Sequence, residues 1–582
     1  MQLLKQFIKQ NKGLLFLSIL FITINTFAML VIPFYVSQLI NEGILKQNYQ
    51  QLNTIIVKML IILIIGTIAG ILGSYFSAYF SSKFAQSNRK KMIRTIEKLT
   101  LNQTDHFGIA SLVTRTTNDN VNAQQILLTF LQMILPSPIM ALIAILLTLN
   151  IYPVLAIIPL LAIFIFLGTT WYVLNQSLPN IQKIQAKMDQ MTLVLREFFV
   201  GVRIIRAFDN SKKEKIRVDT AFEDYTQNNI VINQHFALLS PMAFCLMNLA
   251  MVLILWIGSS LVAHQVLEIG SITALIEYTT TTIATLIMSA LILFQVPKGI
   301  ASINRIQEVI ETKSEITDHD KMMPTATLSE KITPITQLSF NNVDFRYSGA
   351  EKKILDAISF KVNAGETIAI VGGTGSGKSS VVKTLLRLND IEAGTIKIND
   401  IDIRDMPLDT LRHVISYVPQ RAFLFSGTIS DNFRFGCPDL TNEQMIKVAK
   451  VAQANDFIQG LPEKFQTKVT QGGTNFSGGQ KQRLAIGRAL AKNAGIYIFD
   501  DSFSALDYAT DALLRSELKT YLAKQITIIV AQRLSTILSA DQIIVLNDGK
   551  IVGRGSHESL LATNQFYQDL AKTQGIMMEV KK

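Results

Sequence analysis

Apolar positions are gathered into long, nearly uncharged runs in the first half of the chain and into short ones in the second. Residues 14–40 form a run of 27 without a charged side chain, and further runs occupy residues 59–80, 126–149, 152–174, 236–263 and 272–296. A helix needs about 20 apolar residues to cross a bilayer, so the pattern predicts six membrane spans. The first run is longer than the core of a signal peptide and no small-x-small cleavage site follows it, so it is read as a span. From residue 297 onward no run of spanning length appears.

The connections alternate in length. They are short after the first, third and fifth spans, whereas about 45 and 60 residues follow the second and fourth. The segment before the first span carries Lys5, Lys9 and Lys12, and the long connections carry Lys83, Arg89, Lys90, Lys91, Arg94 and, further on, Arg196, Arg203, Arg206, Lys212 and Arg217. The short connections offer only Lys46 and Lys58. The positive-inside rule therefore predicts a multi-pass protein of the cell membrane with both termini and the long connections in the cytoplasm. Residues 188–199 repeat apolar positions at helical spacing, which predicts that membrane helices continue beyond the bilayer.

Composition agrees. Of 582 residues 49% are hydrophobic and 17% are charged, against roughly 25% in soluble proteins, which excludes a disordered chain and disfavours a soluble enzyme. Much of the net charge of +11 is an orientation signal for the lipid bilayer; no zinc spacing, basic heptad or RNA motif accompanies it, so nucleic acid is not an expected partner. Cys245 and Cys437 are the only cysteines, too few for a disulfide framework or a thiolate metal cluster. A polar stretch with Pro324 and Pro334 reads as a linker, giving a membrane domain at 1–310, a linker at 311–335 and a soluble α/β domain at 336–582.

In that last domain an apolar strand at 366–371 runs into Gly372-Gly373-Thr374-Gly375-Ser376-Gly377-Lys378-Ser379-Ser380, followed by an apolar-periodic helix from Val381. Strand, loop and helix in that order are the context of a phosphate-binding loop. Its backbone N–H groups converge on phosphates, Lys378 neutralises the β- and γ-phosphates of ATP, and the Ser379 hydroxyl reaches Mg2+. A second apolar strand, 496–499, ends in Asp500-Asp501, which places one carboxylate for Mg2+ and another near the γ-phosphate.

Between these, Phe476-Ser477-Gly478-Gly479-Gln480-Lys481-Gln482-Arg483 resembles the signature motif of ATP-binding cassette proteins. Tyr417-Val418-Pro419-Gln420 is similar to their Q-loop, whose glutamine also meets Mg2+, Ser504-Ala505-Leu506-Asp507 to their D-loop, and Tyr347 to the aromatic that stacks on adenine. Six spans ahead of one cassette resemble a half-transporter of the exporter type, and the resemblance covers nearly the whole chain. The implied fold class is an α-helical six-span transmembrane domain followed by an α/β P-loop ATPase domain. In that family two cassettes meet head to tail, so each ATP lies between one phosphate loop and the other subunit's signature motif. Ser477 to Gln480 should open a helix whose N-terminus meets such a phosphate. The resemblance also makes residues 107–115 and 209–217 candidate short helices that couple the two domains.

Two positions depart from the pattern of an efficient ATPase. The residue after the Mg2+ aspartate, usually glutamate, is Asp501, and the switch motif after the strand 526–530 reads Ala531-Gln532-Arg533, with glutamine where relatives carry histidine. Aspartate falls short by about an ångström, enough to cost roughly 10²-fold. A third departure is Gln471, where many relatives are acidic. The expected consequence is a degenerate site that hydrolyses slowly, in a heterodimer with a second, complete half-transporter whose active site this chain's signature completes. A slow homodimer is the plainer alternative. The expected substrate is an amphipathic, drug-like small molecule; a lipid or peptide exporter, or a nucleotide-sensing subunit without transport, are the alternatives, and no peptidase domain with a Cys/His pair precedes the first span. Candidate cavity residues are Asn25, Glu277, Thr279, Thr280, Thr281, Thr282 and Thr285, although threonines in a span also bond to their own helix.

Overall fold

The computed structural model describes residues 2–293, 295–316, 334–347 and 349–576, so most of the expected linker, Pro324 included, lies outside the described residues. The chain divides into two compact units. One is formed by residues up to Glu97 and Phe107–Lys313, the other by Lys98–His106 and the residues from Ser314 on.

The first unit is helical, because a chain in lipid must satisfy its backbone internally. Among the described residues six helices are long and apolar enough to cross a membrane: Lys12–Ile44, Tyr49–Ile96, Ile109–Ile151, Ile157–Ser177, Ser211–Ala263 and Ile269–Leu293. Several run far past their apolar runs. Tyr49–Ile96 has 48 residues, and Ile157–Ala207 has 51 and contains the amphipathic stretch at 188–199. Two runs begin or end elsewhere than the apolar pattern suggests. Tyr152 precedes Pro153 and is extended, so a turn at 153–156 precedes the fourth span, and the sixth span, Ile269–Leu293, is followed by a separate helix, Val296–Glu311, with a proline in its first turn.

The expected short helix at 209–217 does not form. Asp209 adopts a left-handed φ of 50°, and Ser211 opens a helix of 27 residues, leaving a tight turn between two long helices. They are tied by Arg217 to Glu197 at 2.6 Å. Around 107–115 the structure has two short helices, Leu101–Phe107 and Ile109–Thr114, hinged at Gly108 with φ 75°.

Small and polar residues seat the spans. A Cβ on Gly66 would lie 2.8 Å from the Ala28 Cβ, and the hydroxyls of Ser18 and Ser77 meet at 2.7 Å in the same buried seam. At the other end of the first span a π-helical turn, Leu39–Ile44, carries Asn41, whose Oδ1 accepts from the Gly270 N–H at 2.7 Å and so caps the sixth span. A second π-turn, Arg115–Asp119, points buried Asp119 at Arg305, which binds it through two N–H groups at 2.5 and 2.8 Å, with Ser302 donating at 2.9 Å.

Among its described residues the second unit carries twelve strands: β1 (Gln337–Phe345), β2 (Leu355–Asn363), β3 (Thr367–Gly372), β4 (Ala393–Ile398), β5 (Ile401–Asp402), β6 (Ile415–Val418), β7 (Gly427–Thr428), β8 (Lys468–Val469), β9 (Ile496–Asp500), β10 (Ile526–Val530), β11 (Gln542–Asn547) and β12 (Lys550–Gly555). Six form a sheet in the order β12-β11-β3-β10-β9-β6, parallel except for β12, and a second sheet runs β2-β1-β4-β5. The central strands are near-continuous Ile, Val and Phe because both faces of the sheet are covered. One core holds Leu484, Phe499 and Phe433; the other holds Ile370, Ile498 and Phe340.

Candidate functional site

Parallel register brings the carboxyl ends of β3, β6, β9 and β10 to one edge, since Val530 pairs with Ile370 and Asp500, and Val418 pairs with Phe499. Ligands of open α/β sheets bind at that edge. A cleft of about 400 Å³ lies there, lined by Tyr347, Ile354, residues 374–380, Gln420, Asp500, Asp501, Val530 and Gln532. Residues up to 185 apart in sequence thus converge on one cleft.

The phosphate loop ends at Gly377, whose φ of 100° admits no ordinary side chain, and the helix Lys378–Leu385 starts there, three residues earlier than the apolar periodicity marks. Its N–H groups face the cleft as an anion site. The Lys378 ammonium donates to the carbonyls of Gly372 and Gly373 at 2.8 and 2.6 Å. Burial lowers its pKa, and the charges of Asp501 and Asp500 oppose that shift, so an arriving phosphate finds an under-solvated cation.

Asp500, at the end of β9, accepts from the Ser379 hydroxyl at 3.3 Å and from the Tyr417 phenol at 3.4 Å. Burial raises its pKa, and those two hydrogen bonds pull it back. The Asp501 N–H donates to the Val530 carbonyl at 2.8 Å, and its side chain accepts from Gln420 Nε2 at 3.0 Å. The Gln532 carbonyl accepts from Gln574 Nε2 at 2.9 Å, while Gln574 Oε1 takes the Leu534 N–H at 2.8 Å, so one C-terminal side chain fastens the loop carrying Gln532. Tyr347 lies with its hydroxyl 3.3 Å from Ser380 and its ring under the Lys383 ammonium at 5.7 Å.

Asp500, Ser379 and the Gln420 amide are hard oxygen donors with a single strong charge, a set that suits Mg2+ completed by phosphate oxygens. Among the described residues no group of three or more His, Cys, Asp or Glu is placed to hold a metal unaided.

Ser477, Gly478, Gly479 and Gln480 stand apart from the cleft. They open the helix Gly478–Leu490 through a reciprocal cap: the Ser477 hydroxyl accepts from the Gln480 N–H at 3.3 Å, and Gln480 Oε1 from the Ser477 N–H at 2.9 Å. Phe476 is buried in the core against Phe457. Gln471 sits in an exposed turn followed by left-handed Gly472 and Gly473. Sequence reasoning missed Tyr417, Lys383 and Gln574; for Tyr417 the signal was its place in the Q-loop strand, and Gln574 had none. In the sixth span Thr279, Thr280 and Thr285 bond back to their own helix, Glu277 is exposed, and Thr282 is buried without a hydrogen-bond partner. Asn25 faces Gly70 of the next span.

Comparison with known proteins agrees with this architecture. Residues 15–286 match the ABC transporter transmembrane region and residues 355–504 match the ABC transporter domain. An uncharacterised ABC transporter ATP-binding protein of Mycobacterium tuberculosis is 31% identical over 99% of both chains. An ATP-dependent lipid A-core flippase of Haemophilus influenzae is 31% identical over 68% of this chain and 66% of its own. A bacterial Atm1-family ABC exporter solved with ATP bound shares the fold, with a TM-score of 0.80 at 24% identity over 97% of this chain and 98% of that one. The transmembrane region, the cassette and these relatives together place the chain in the ABC transporter family, as an exporter-type half-transporter.

Proposed function

We propose that the chain is one half of a heterodimeric exporter that moves amphipathic compounds across the cell membrane, and that its own cleft holds ATP while hydrolysing it slowly. In this reading residues 1–310 form the membrane domain, 311–335 the linker and 336–582 the ATPase, with both termini and the ATPase in the cytoplasm. The observation that carries it is the pair Asp501 and Gln532, which face one cleft and are both weaker than the groups an efficient ATPase uses there.

Lys378 exchanges two backbone carbonyls for β- and γ-phosphate oxygens, and Tyr347 offers its ring to adenine. Bound at Ser379, Asp500 and Gln420, Mg2+ supplies charge neutralisation for the phosphates. The carboxylate of Asp501 ends about 1.5 Å, one C–C bond, short of where glutamate would reach a water. Gln532 can hydrogen-bond to a γ-phosphate but brings no positive charge. The signature helix, remote from this chain's cleft, is free to meet an ATP held by the partner. Closure of the two cassettes around ATP would then shift the membrane domain between inward- and outward-open states.

The test is ATP-dependent uptake of a reporter dye and a fluorescent lipid into inside-out vesicles containing the co-expressed pair. Uptake requiring both chains is expected. A purified single chain that is a fully active homodimer overturns the heterodimer, and absence of uptake for every amphipath overturns export in favour of a nucleotide-sensing subunit. The flippase relatives favour a lipid as the second substrate reading, which fluorescent-lipid uptake without dye uptake would select.

A further inference from the structure

We propose that Asp501 is a positioning residue for Gln420: it fixes the amide so that the carbonyl oxygen of Gln420, not its nitrogen, faces the metal position. This deepens the reading of the cleft as an ATP-holding site and rests on it. Gln420 follows β6 and Asp501 follows β9, neighbouring parallel strands, and the two side chains meet at 3.0 Å. A carboxylate has only acceptors, whereas an amide has one donor end and one acceptor end. Asp501 therefore accepts from Nε2 and leaves Oε1, the only end a hard cation can use, as the free one.

The backbone holds Asp501 for this role. Its N–H is bound to the Val530 carbonyl across β10 at 2.8 Å, and its φ of 46° lies in the left-handed region, which aspartate tolerates better than longer residues. From that anchor the short side chain ends on the amide. One more methylene would carry a carboxylate about 1.5 Å past this contact. A group that activates water must present its oxygen to the water, and here Asp501 Oδ2 is engaged by Gln420. Neighbouring Asp500 is treated alike, its two oxygens taken by Ser379 and Tyr417. The end of β6 thus lays one donor on each aspartate, Tyr417 on Asp500 and Gln420 on Asp501.

Binding of a non-hydrolysable ATP analogue to the purified full-length chain tests this, measured once with Mg2+ and once with EDTA. Asp501→Ala is expected to weaken binding about 10-fold in Mg2+, at the lower end for outer partners of metal ligands, and to leave binding in EDTA unchanged. Gln420→Ala should lose at least as much, and the double variant no more than Gln420→Ala alone, because Asp501 acts through Gln420. Unchanged Mg2+-dependent binding in Asp501→Ala, equal losses with and without Mg2+, or additive losses in the double variant each overturn the proposal. Fast ATP turnover by the unmodified chain would instead overturn the slow-site reading, while the Asp501–Gln420 coupling is decided by binding alone.

Discussion

Restoring the usual side chains, Asp501→Glu with Gln532→His, should raise ATP turnover at this chain's cleft, and the size of the rise can be worked out. Glutamate extends the carboxylate by about 1.5 Å, and a misplacement of 1 Å costs roughly 10²-fold, or about 2.7 kcal/mol at 1.36 kcal/mol per decade. Against this stands the backbone. Asp501 sits at φ 46°, held by its bond to Val530, and glutamate there incurs a strain of about 1 kcal/mol that its side chain can relieve by leaving the productive position. The remainder, about 1.7 kcal/mol, is a gain of roughly 20-fold for Asp501→Glu alone. Gln532→His adds a group able to carry charge beside the γ-phosphate, and the two should gain more together than the product of the single gains, since they act as a unit. The assay is steady-state phosphate release at saturating Mg2+ and ATP by the co-purified pair with the partner's own site inactivated, with Asp500→Asn in this chain as the inactive baseline. An Asp501→Glu variant no faster than the parent would refute the argument that carboxylate reach limits this site.

Three other outcomes follow from the packing. Gly270→Ala puts a Cβ 2.3 Å from the Ser37 carbonyl and 2.7 Å from Asn41 Oδ1, so overpacking of about 1–3 kcal/mol adds to a similar loss if the buried Gly270 N–H is unpaired; an unaltered melting temperature in detergent would sink this account of the seam. Ser477→Ala removes a helix cap worth about 1 kcal/mol and should abolish most ATPase activity of the pair while leaving nucleotide binding at this chain's own cleft intact; retained pair activity would contradict it. Burial lowers the pKa of His557, whose Nδ1 lies 2.8 Å from the Tyr567 hydroxyl, with Glu558 opposing the shift. The folded state then favours neutral imidazole, so stability is full above the unfolded pKa of about 6.5 and declines as pH falls below it. Thermal melts between pH 7.5 and 5 should show that decline, and His557→Gln should flatten it.

What the sequence made legible was local. Five runs without charge and a sixth with Glu277 alone announce six spans because lipid leaves a helix no alternative, and glycines, Lys378 and Ser379 announce the phosphate loop because strand, turn and helix follow within twenty residues. The Ser477 cap was readable for the same reason: Ser and Gln three apart satisfy each other's backbone N–H groups. Failures came where a short segment was judged without its neighbours. Residues 209–217 have the length of a short helix, yet a single left-handed Asp209 lets two long helices pack back to back, and that packing outweighs local propensity.

The contacts that set the chemistry were the least legible, because each joins residues far apart in sequence through strand order or helix packing. Gln420 and Asp501 meet only because β6 is inserted beside β9, a crossover that periodicity cannot report. Asn41 in the first span meets Gly270 at the head of the sixth, and Asp119 meets Arg305, through packing of helices whose own sequences do not name their partners. The mismatch is informative in one direction. The motifs identify which side chains are present at the cleft, but whether Asp501 is a free carboxylate or a committed one depends on which strand lies alongside, and that determines whether substitution should be felt in turnover or in Mg2+-dependent binding. A family member with the same motif letters and a different partner for that carboxylate would therefore have a different kinetic role for the same residue.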